Sequence, residues 1–173
     1  TWIHKGLDST QHIGRIVPHP QNTEPAWVAA IGPLYTHSPH RGIYKTTDGG
    51  DTWKKVLYLN DSTGIIDLII DRANPNRLWA AAWERTRKAW NFKGEGAGSG
   101  IYVSVDGGEN WKRLEQGLPA GAKLGRIGLA VSPSHPNTLY AVLDNQMPAV
   151  KDTKEKNEET PAWPSDFFRD LSK

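Results

Sequence analysis

The sequence predicts an all-β fold: a partial β-propeller of four-stranded antiparallel blades, about two and a half of them, with a short helix near the C-terminus. Three observations carry this prediction. Gly42-Ile43-Tyr44-Lys45-Thr46-Thr47-Asp48-Gly49-Gly50-Asp51-Thr52-Trp53-Lys54 aligns without a gap on Gly100-Ile101-Tyr102-Val103-Ser104-Val105-Asp106-Gly107-Gly108-Glu109-Asn110-Trp111-Lys112. Asn74-Pro75-Asn76-Arg77-Leu78-Trp79-Ala80 matches His135-Pro136-Asn137-Thr138-Leu139-Tyr140-Ala141, and more loosely the segment 21–29. Between these markers lie short β-branched runs bounded by turn residues, four to a period, which is the pattern of sheets that bury their faces only against neighbouring copies.

Taken in order, alternation and β-branched content predict strands over 14–17, 27–31, 42–46 and 53–57 in the first unit. The second unit gives 65–70, 78–83, 100–104 and 111–114, and a third opens with 126–131 and 138–143 before the pattern stops. The expected organisation is a propeller segment over 1–147, with blades at 8–60, 61–120 and an incomplete 121–147. A charged linker or insertion follows over 148–163, because 151–160 (KDTKEKNEET) contains no apolar residue. Residues 164–173 begin a helical segment, with Ser165 as N-cap and Phe167, Phe168 and Leu171 on its apolar side. Two and a half blades cannot close a ring, so the remaining blades are expected from elsewhere in a full-length chain.

Composition excludes several function classes. With 173 residues, 37% of them apolar, 17 glycines and 12 prolines, the chain is a turn-rich globular protein. A net charge of +2 with both signs interspersed leaves no electrostatic footprint for nucleic acid. Without cysteine there is neither a disulfide framework nor a thiolate metal site. No apolar run approaches the roughly 18 residues of a membrane span. No cofactor is expected; Gly94 to Gly100 (GEGAGSG) precedes a strand instead of opening a helix, unlike a dinucleotide loop, and is expected to be a flexible lead-in. His37 and His40 would need a carboxylate to ligate a metal, and no metal is expected.

The repeated Asp-Gly-Gly segment could be a metal loop, a phosphate cradle or a turn. In both copies a hydroxyl residue (Thr46, Ser104) stands two before an Asp (Asp48, Asp106), glycines follow (Gly50, Gly108), and a Trp closes the motif (Trp53, Trp111). Only one Asp recurs, whereas a calcium loop requires several oxygen ligands at alternate positions. A hairpin turn between third and fourth strands is therefore expected, with the carboxylate accepting from turn amides and glycine taking positive φ.

The pattern [S/T]-x-D-x-G-x-[T/N]-W, present twice, resembles the Asp-box, or bacterial-neuraminidase repeat, of sialidase-type propellers. With HIGRIVPHP, WERTRKAWN and GSGIYVSVDGGENWKRL, the chain resembles, over residues 1–147, large bacterial proteins labelled sortilin-like or glycosyl-hydrolase propellers. The resemblance implies an extracytoplasmic protein, periplasmic, cell-surface or secreted. It is specific for architecture and not for activity, since sialidases, xyloglucanases and sortilin-type receptors share the motif.

Loops joining strands two and three, and those joining blades, fall on the rim opposite the Asp-Gly-Gly turns, where recognition is expected. On it lie Gly32 to Arg41, with Tyr35 and His37, and the long segment Glu84 to Ser99. In the latter, Glu84, Arg85, Arg87, Trp90 and Asn91 combine charge, amide and aromatic surface suited to a sugar or a peptide end; alternatively Trp83 and Trp90 cover the blade edge and the arginines are solvated. Arg15 and Arg126 share the context Gly-Arg-Ile, which would aim both at the central channel, to clamp a carboxylate or to make salt bridges between blades. Sialidases resemble the clamp, although Gly14 replaces their aromatic residue and Pro18 arrives one position late. Glycoside hydrolysis needs two carboxyl groups flanking the scissile bond, and Glu84, Asp67 and Asp144 are the acidic residues expected nearest the channel mouth. The expectation is a binding or scaffold module whose partner is a glycan or a protein segment, with a sialidase- or xyloglucanase-like hydrolase as the alternative.

Overall fold

The computed structural model describes residues 1–119 and 121–148. Apart from a single 3-10 turn, Asp8–Thr10, every regular element is a strand: β1 (Ile13–Pro18), β2 (Ala26–Ala30), β3 (Gly42–Thr46), β4 (Lys54–Leu57), β5 (Thr63–Ile70), β6 (Leu78–Glu84), β7 (Thr86–Lys88), β8 (Asn91–Lys93), β9 (Gly100–Ser104), β10 (Lys112–Leu114), β11 (Leu124–Val131) and β12 (Leu139–Asn145). They form two antiparallel four-stranded sheets, β1-β2-β3-β4 and β5-β6-β9-β10, and the two-stranded beginning of a third, β11-β12. This is the expected partial propeller. The linker from residue 149 and the expected helix at 164–173 lie outside the described residues.

The repeat seen in the sequence is a repeat of register. Val28 pairs with Tyr44 in the first sheet, and Ala80 pairs with Tyr102 in the second. The first strands of the sheets, β1, β5 and β11, are neighbours in space, so the sheets radiate outward from them. Each inner strand carries a bulge, between Ile13 and Arg15, Ile65 and Asp67, and Leu124 and Ile127, which adds twist where the blades converge.

Burial follows from this stacking. Trp27, Ile43, Ile65, Leu68 and Leu78 fill the seam between the first and second sheets, with Trp111 packed against them. Trp79, Ile101, Leu124, Ile127 and Leu129 fill the seam between the second and third. The middle sheet is thus apolar on both faces, and the alanine run Ala80-Ala81-Ala82, fully buried, keeps β6 thin enough for sheets to pack on either side. Each large side chain so buried stabilises the fold by about 1.5–3 kcal/mol relative to exposure. On β12, the outer strand of the third sheet among the described residues, Tyr140 and Val142 stand exposed.

Both Asp-Gly-Gly segments are turns, built alike. Thr46 Oγ1 donates to Asp48 Oδ1 (2.7 Å) and accepts from Gly50 N (2.9 Å); Asp48 accepts from Thr52 N (2.9 Å) and Thr52 Oγ1 (2.6 Å). In the second copy Ser104 Oγ donates to Asp106 (2.7 Å), which also accepts from the amides of Glu109 and Asn110 and from the Asn110 side chain. The glycines take left-handed backbone, φ 67° and 91° at Gly49 and Gly50, 71° and 84° at Gly107 and Gly108. The Thr52 hydroxyl and amide hold the Asp48 carboxyl down at about 2, and the Asn110 amide and side chain hold Asp106 lower still. Each carboxylate thus holds together the turn that carries it.

Candidate ligand-binding face

The two rims of the sheets differ in kind. On the Asp-Gly-Gly rim the first glycine amide of each turn reaches across to the turn between the first two strands of its own sheet: Gly49 N donates to Glu24 O (3.0 Å), and Gly107 N to Asn76 O (2.9 Å). Trp27 Nε1 donates to Gly107 O (3.1 Å), tying the first sheet to the second. The turns after the inner strands share one device that the sequence did not reveal. His19 Nδ1, Asp71 Oδ1 and Ser132 Oγ, three different groups at corresponding positions, each accept from amides two or three residues on.

The channel between the inner strands is bounded by Arg15, Leu68, Ile69, Leu129 and Ala130 around a cavity of ≈ 610 Å³. Arg15 and Asp67 do not stand free in it. Arg15 pairs with Ala29 in register and Asp67 with Ala81, so they occupy the same position of adjacent sheets, and Arg15 Nε donates to Asp67 Oδ1 at 3.0 Å. Asp67 Oδ1 also accepts from its neighbour Leu68 N (2.9 Å), and Oδ2 accepts from Leu129 N (3.0 Å). One carboxylate on the middle inner strand therefore staples the inner strands on both sides. Arg126 does not share Arg15's register, because Gly128, not Arg126, pairs with Val142 at the corresponding place. The geometry of a two-arginine clamp on the channel is absent: Arg15 is held by Asp67, and Arg126 lies at 6.0 Å over the Trp83 ring.

The opposite rim is where the remaining sequence candidates meet. Ser62, in the connection between the first two sheets, is its junction: its carbonyl accepts from Arg85 N (3.2 Å), and its hydroxyl lies 2.9 Å from His37 Nδ1. Beside it, Asp61 O accepts from Ser38 N (3.0 Å). The loop from Gly32 to Arg41 is organised from within by Arg41, which the sequence reading missed. Arg41 is 1% exposed and donates to the carbonyls of Ile31, Pro33 and Thr36, satisfying backbone groups of a loop that has no sheet to bond to. Burial, helped by the charge of Arg85, lowers its pKa to about 10.

The segment after Trp83 is not an open loop. Thr86–Lys88 and Asn91–Lys93 pair as a small hairpin, β7-β8, whose tip carries Trp90. Nor is GEGAGSG a loose lead-in. Glu84 Oε2 accepts from Gly98 N (2.7 Å), and a Cβ on Gly96 or Gly98 would collide with Glu84 or Thr63, so these glycines permit the backbone to wrap the carboxylate. Asp144 is exposed and accepts from Gln146 Nε2 (2.6 Å). The three acidic candidates thus sit in three separate hydrogen-bonded settings.

Trp83 is the hub of this rim. Its Nε1 donates to Gly94 O (2.7 Å), and Phe92 meets its ring edge-on at 6.3 Å. The guanidinium of Arg85 lies 5.2 Å from its ring centroid. Arg87 lies 5.2 Å over Phe92. Beyond them Trp90, 85% exposed, and Tyr35 border an open cavity of ≈ 460 Å³ with Arg87, Asn91 and Phe92. Trp83 is half-buried against the blade, whereas Trp90 covers nothing. Among the described residues no three His, Asp or Glu side chains form a metal-ligand group, and no helix is long and apolar enough to cross a membrane.

No family model matches the chain, and no curated protein sequence matches it. Among solved structures it is similar to an ancestral GH74 enzyme, at 18% identity and a TM-score of 0.59, over 79% of this chain and 17% of that one. It also matches the GH74 enzyme of Niastella koreensis at 20% identity and a TM-score of 0.45, over 78% of this chain and 20% of that one. The first likeness is one of fold, and it agrees with the radiating four-stranded sheets. The chain spans about a fifth of the length of either enzyme.

Proposed function

We propose that this chain is a ligand-binding segment of an exported Asp-box β-propeller, recognising a glycan on the rim opposite its Asp-Gly-Gly turns. The observation that carries the reading is the exposed indole of Trp90, held out on a paired hairpin beside Tyr35, Arg87 and Asn91. A flat apolar ring with amide and guanidinium donors beside it suits the face and hydroxyl edge of a sugar, and an aromatic side chain so exposed has no packing role to explain it. The hydrogen bonds of Glu84 and Asp67 support binding over hydrolysis, since both carboxylates serve the backbone around them. The exposed Tyr140 and Val142 fit a further sheet of the same fold, completing the third blade and continuing the ring.

Binding of the intact protein to a panel of neutral and acidic oligosaccharides, with Trp90→Ala alongside, tests the reading. Loss of at least ten-fold in affinity with an unchanged melting temperature is expected. Equal affinity for the variant would remove this rim from consideration.

A second reading, glycoside hydrolysis, is favoured by the fold shared with the ancestral GH74 enzyme. Glu84→Gln, Asp67→Asn and Asp144→Asn in the intact protein separate the two. Turnover of any glycan that disappears in one of them, in a variant that remains folded, would establish the hydrolase.

A further inference from the structure

We propose that the ligand held on this rim carries a carboxylate, and that Arg85, assisted by Arg126 and Arg87, is the site that receives it. This rests on the reading of the rim as a glycan-binding face and adds the charge class of the sugar, an acidic one of the uronic type.

The argument starts from Arg85. It is 8% exposed, yet its Nε has no hydrogen-bond partner, and among the described residues its guanidinium makes no ion pair. Burying a cation without a counter-charge is costly, and in folded proteins such groups are paired or hydrogen-bonded. What it has instead is the Trp83 ring at 5.2 Å, a contact that fixes the orientation of the guanidinium without neutralising it. Burial, together with the charge of Arg87, lowers its pKa, the mark of an uncompensated cation.

Its neighbours add to the imbalance. Arg126, from the third sheet, lies 6.0 Å from the same indole centroid, so both guanidinium groups fall within the length of one or two sugar rings of each other. Arg87 stacks at 5.2 Å on Phe92, which itself meets Trp83 edge-on. None of the three makes an ion pair among the described residues, although Arg15 and Arg77 elsewhere each hold an aspartate. Glu84, the acid next to Arg85 in the chain, accepts from Gly98 N instead. Guanidinium forks held against aromatic rings and lacking carboxylates of their own match a planar, doubly accepting anion. A carboxylate attached to a sugar ring would also place that ring toward Trp90 and Tyr35.

The experiment measures binding of the intact protein to galacturonate oligosaccharides and to the same oligosaccharides after reduction of the carboxyl to the alcohol. The acidic set is expected to bind at least ten-fold more tightly, with an affinity that falls as salt is raised. Arg85→Gln should abolish that preference, and Arg126→Gln should diminish it. Because Arg126 is exposed, its variant remains informative even if Arg85→Gln does not fold. Equal binding of acidic and reduced sugars by the unaltered protein would overturn the carboxylate site while leaving the glycan-binding face standing. Binding of neither set would overturn both.

Discussion

Two arginines at opposite ends of β6 make the same contact with a tryptophan and meet opposite fates. Arg77 stacks at 5.2 Å on Trp79, and Arg85 stacks at 5.2 Å on Trp83. Arg77 spends its donors inside the chain: Nε and Nη2 on the buried Asp71 (3.1 and 2.6 Å), Nη1 on Asn137 (2.9 Å) and Nη2 on the carbonyl of Pro136 (3.0 Å). Arg85 Nε has no hydrogen-bond partner, and among the described residues its guanidinium makes no ion pair. The difference teaches where the architecture is secured and where it is open. On the Asp-Gly-Gly rim the charges close the turns and join neighbouring sheets, whereas on the opposite rim Arg41 and Glu84 serve the backbone around them and Arg85, Arg87 and Arg126 make no ion pair among the described residues.

Breaking the first member of the pair should have the largest effect. Arg77→Gln leaves Asp71 buried without its counter-charge, which costs about 3–5 kcal/mol when both partners are buried. Because Arg77 is a quarter exposed, the lower end is expected, read from urea denaturation. Arg85→Gln in the same assay should stay within about 1 kcal/mol, since the lost stacking is offset by removal of an unpaired cation. A destabilisation by Arg85→Gln equal to that of Arg77→Gln would erase the distinction between the rims.

Next in size is Gly108→Ala. The added Cβ would stand 2.6 Å from Trp27 Nε1 on a backbone at φ 84°, joining overpacking to left-handed strain. A loss of about 2–4 kcal/mol is expected, measured as a lowered denaturation midpoint. Gly117→Ala, also at positive φ but with nothing within 4 Å of the added atom, isolates the strain and should cost less.

Acid sharpens the comparison further. The carboxyls of Asp48 and Asp106 are lowered by the hydrogen bonds of their turns, Asp48 to about 2. A group depressed in the folded state contributes stability that is fully present above its unfolded value, near 3.9 for Asp, and lost as pH falls through the folded one. The melting temperature should therefore fall between about pH 4 and pH 2, and Asp106→Asn should flatten that fall. An unchanged acid slope in the variant would mean that the turn bonds contribute nothing to stability. The smallest effect on folding belongs to Trp90→Ala, expected within about 0.5 kcal/mol by calorimetry because the ring covers nothing. A larger loss would mean that the indole supports the hairpin.

Much of the scaffold was legible in the residues. The strands end within two residues of where alternation and turn signals put them, as with 78–83 against Leu78–Glu84 and 138–143 against Leu139–Asn145. The Asp-Gly-Gly turns were legible because a hydroxyl, an acid and two glycines at fixed offsets suffice to build one. The rim was legible only in part. Arg85, Arg87, His37 and Trp90 lie on the rim opposite the Asp-Gly-Gly turns, Arg87 in a short strand and not in a loop, yet Arg41 was passed over, because nothing local distinguishes a buried arginine from a solvated one. The hairpin β7-β8 escaped notice because its strands are three residues long, too short to show alternation. The shared context Gly-Arg-Ile suggested that Arg15 and Arg126 are equivalent, but in β11 the triplet lies two residues further from the hairpin turn, and Gly128 takes the position that Arg15 has in β1.

What the sequence by itself determined is the repeating unit: four strands, the turn that closes each outer pair and the side that tryptophan covers. These depend on backbone preferences and side-chain period within a dozen residues. Which charges are spent and which remain was decided by the tertiary structure alone. Asp67 meets Arg15 and Leu129 across separations of 52 and 62 residues, and among the described residues the fold brings no acid into an ion pair with Arg85. Local pattern fixes the direction a side chain faces; only the assembled sheets determine what faces it in return.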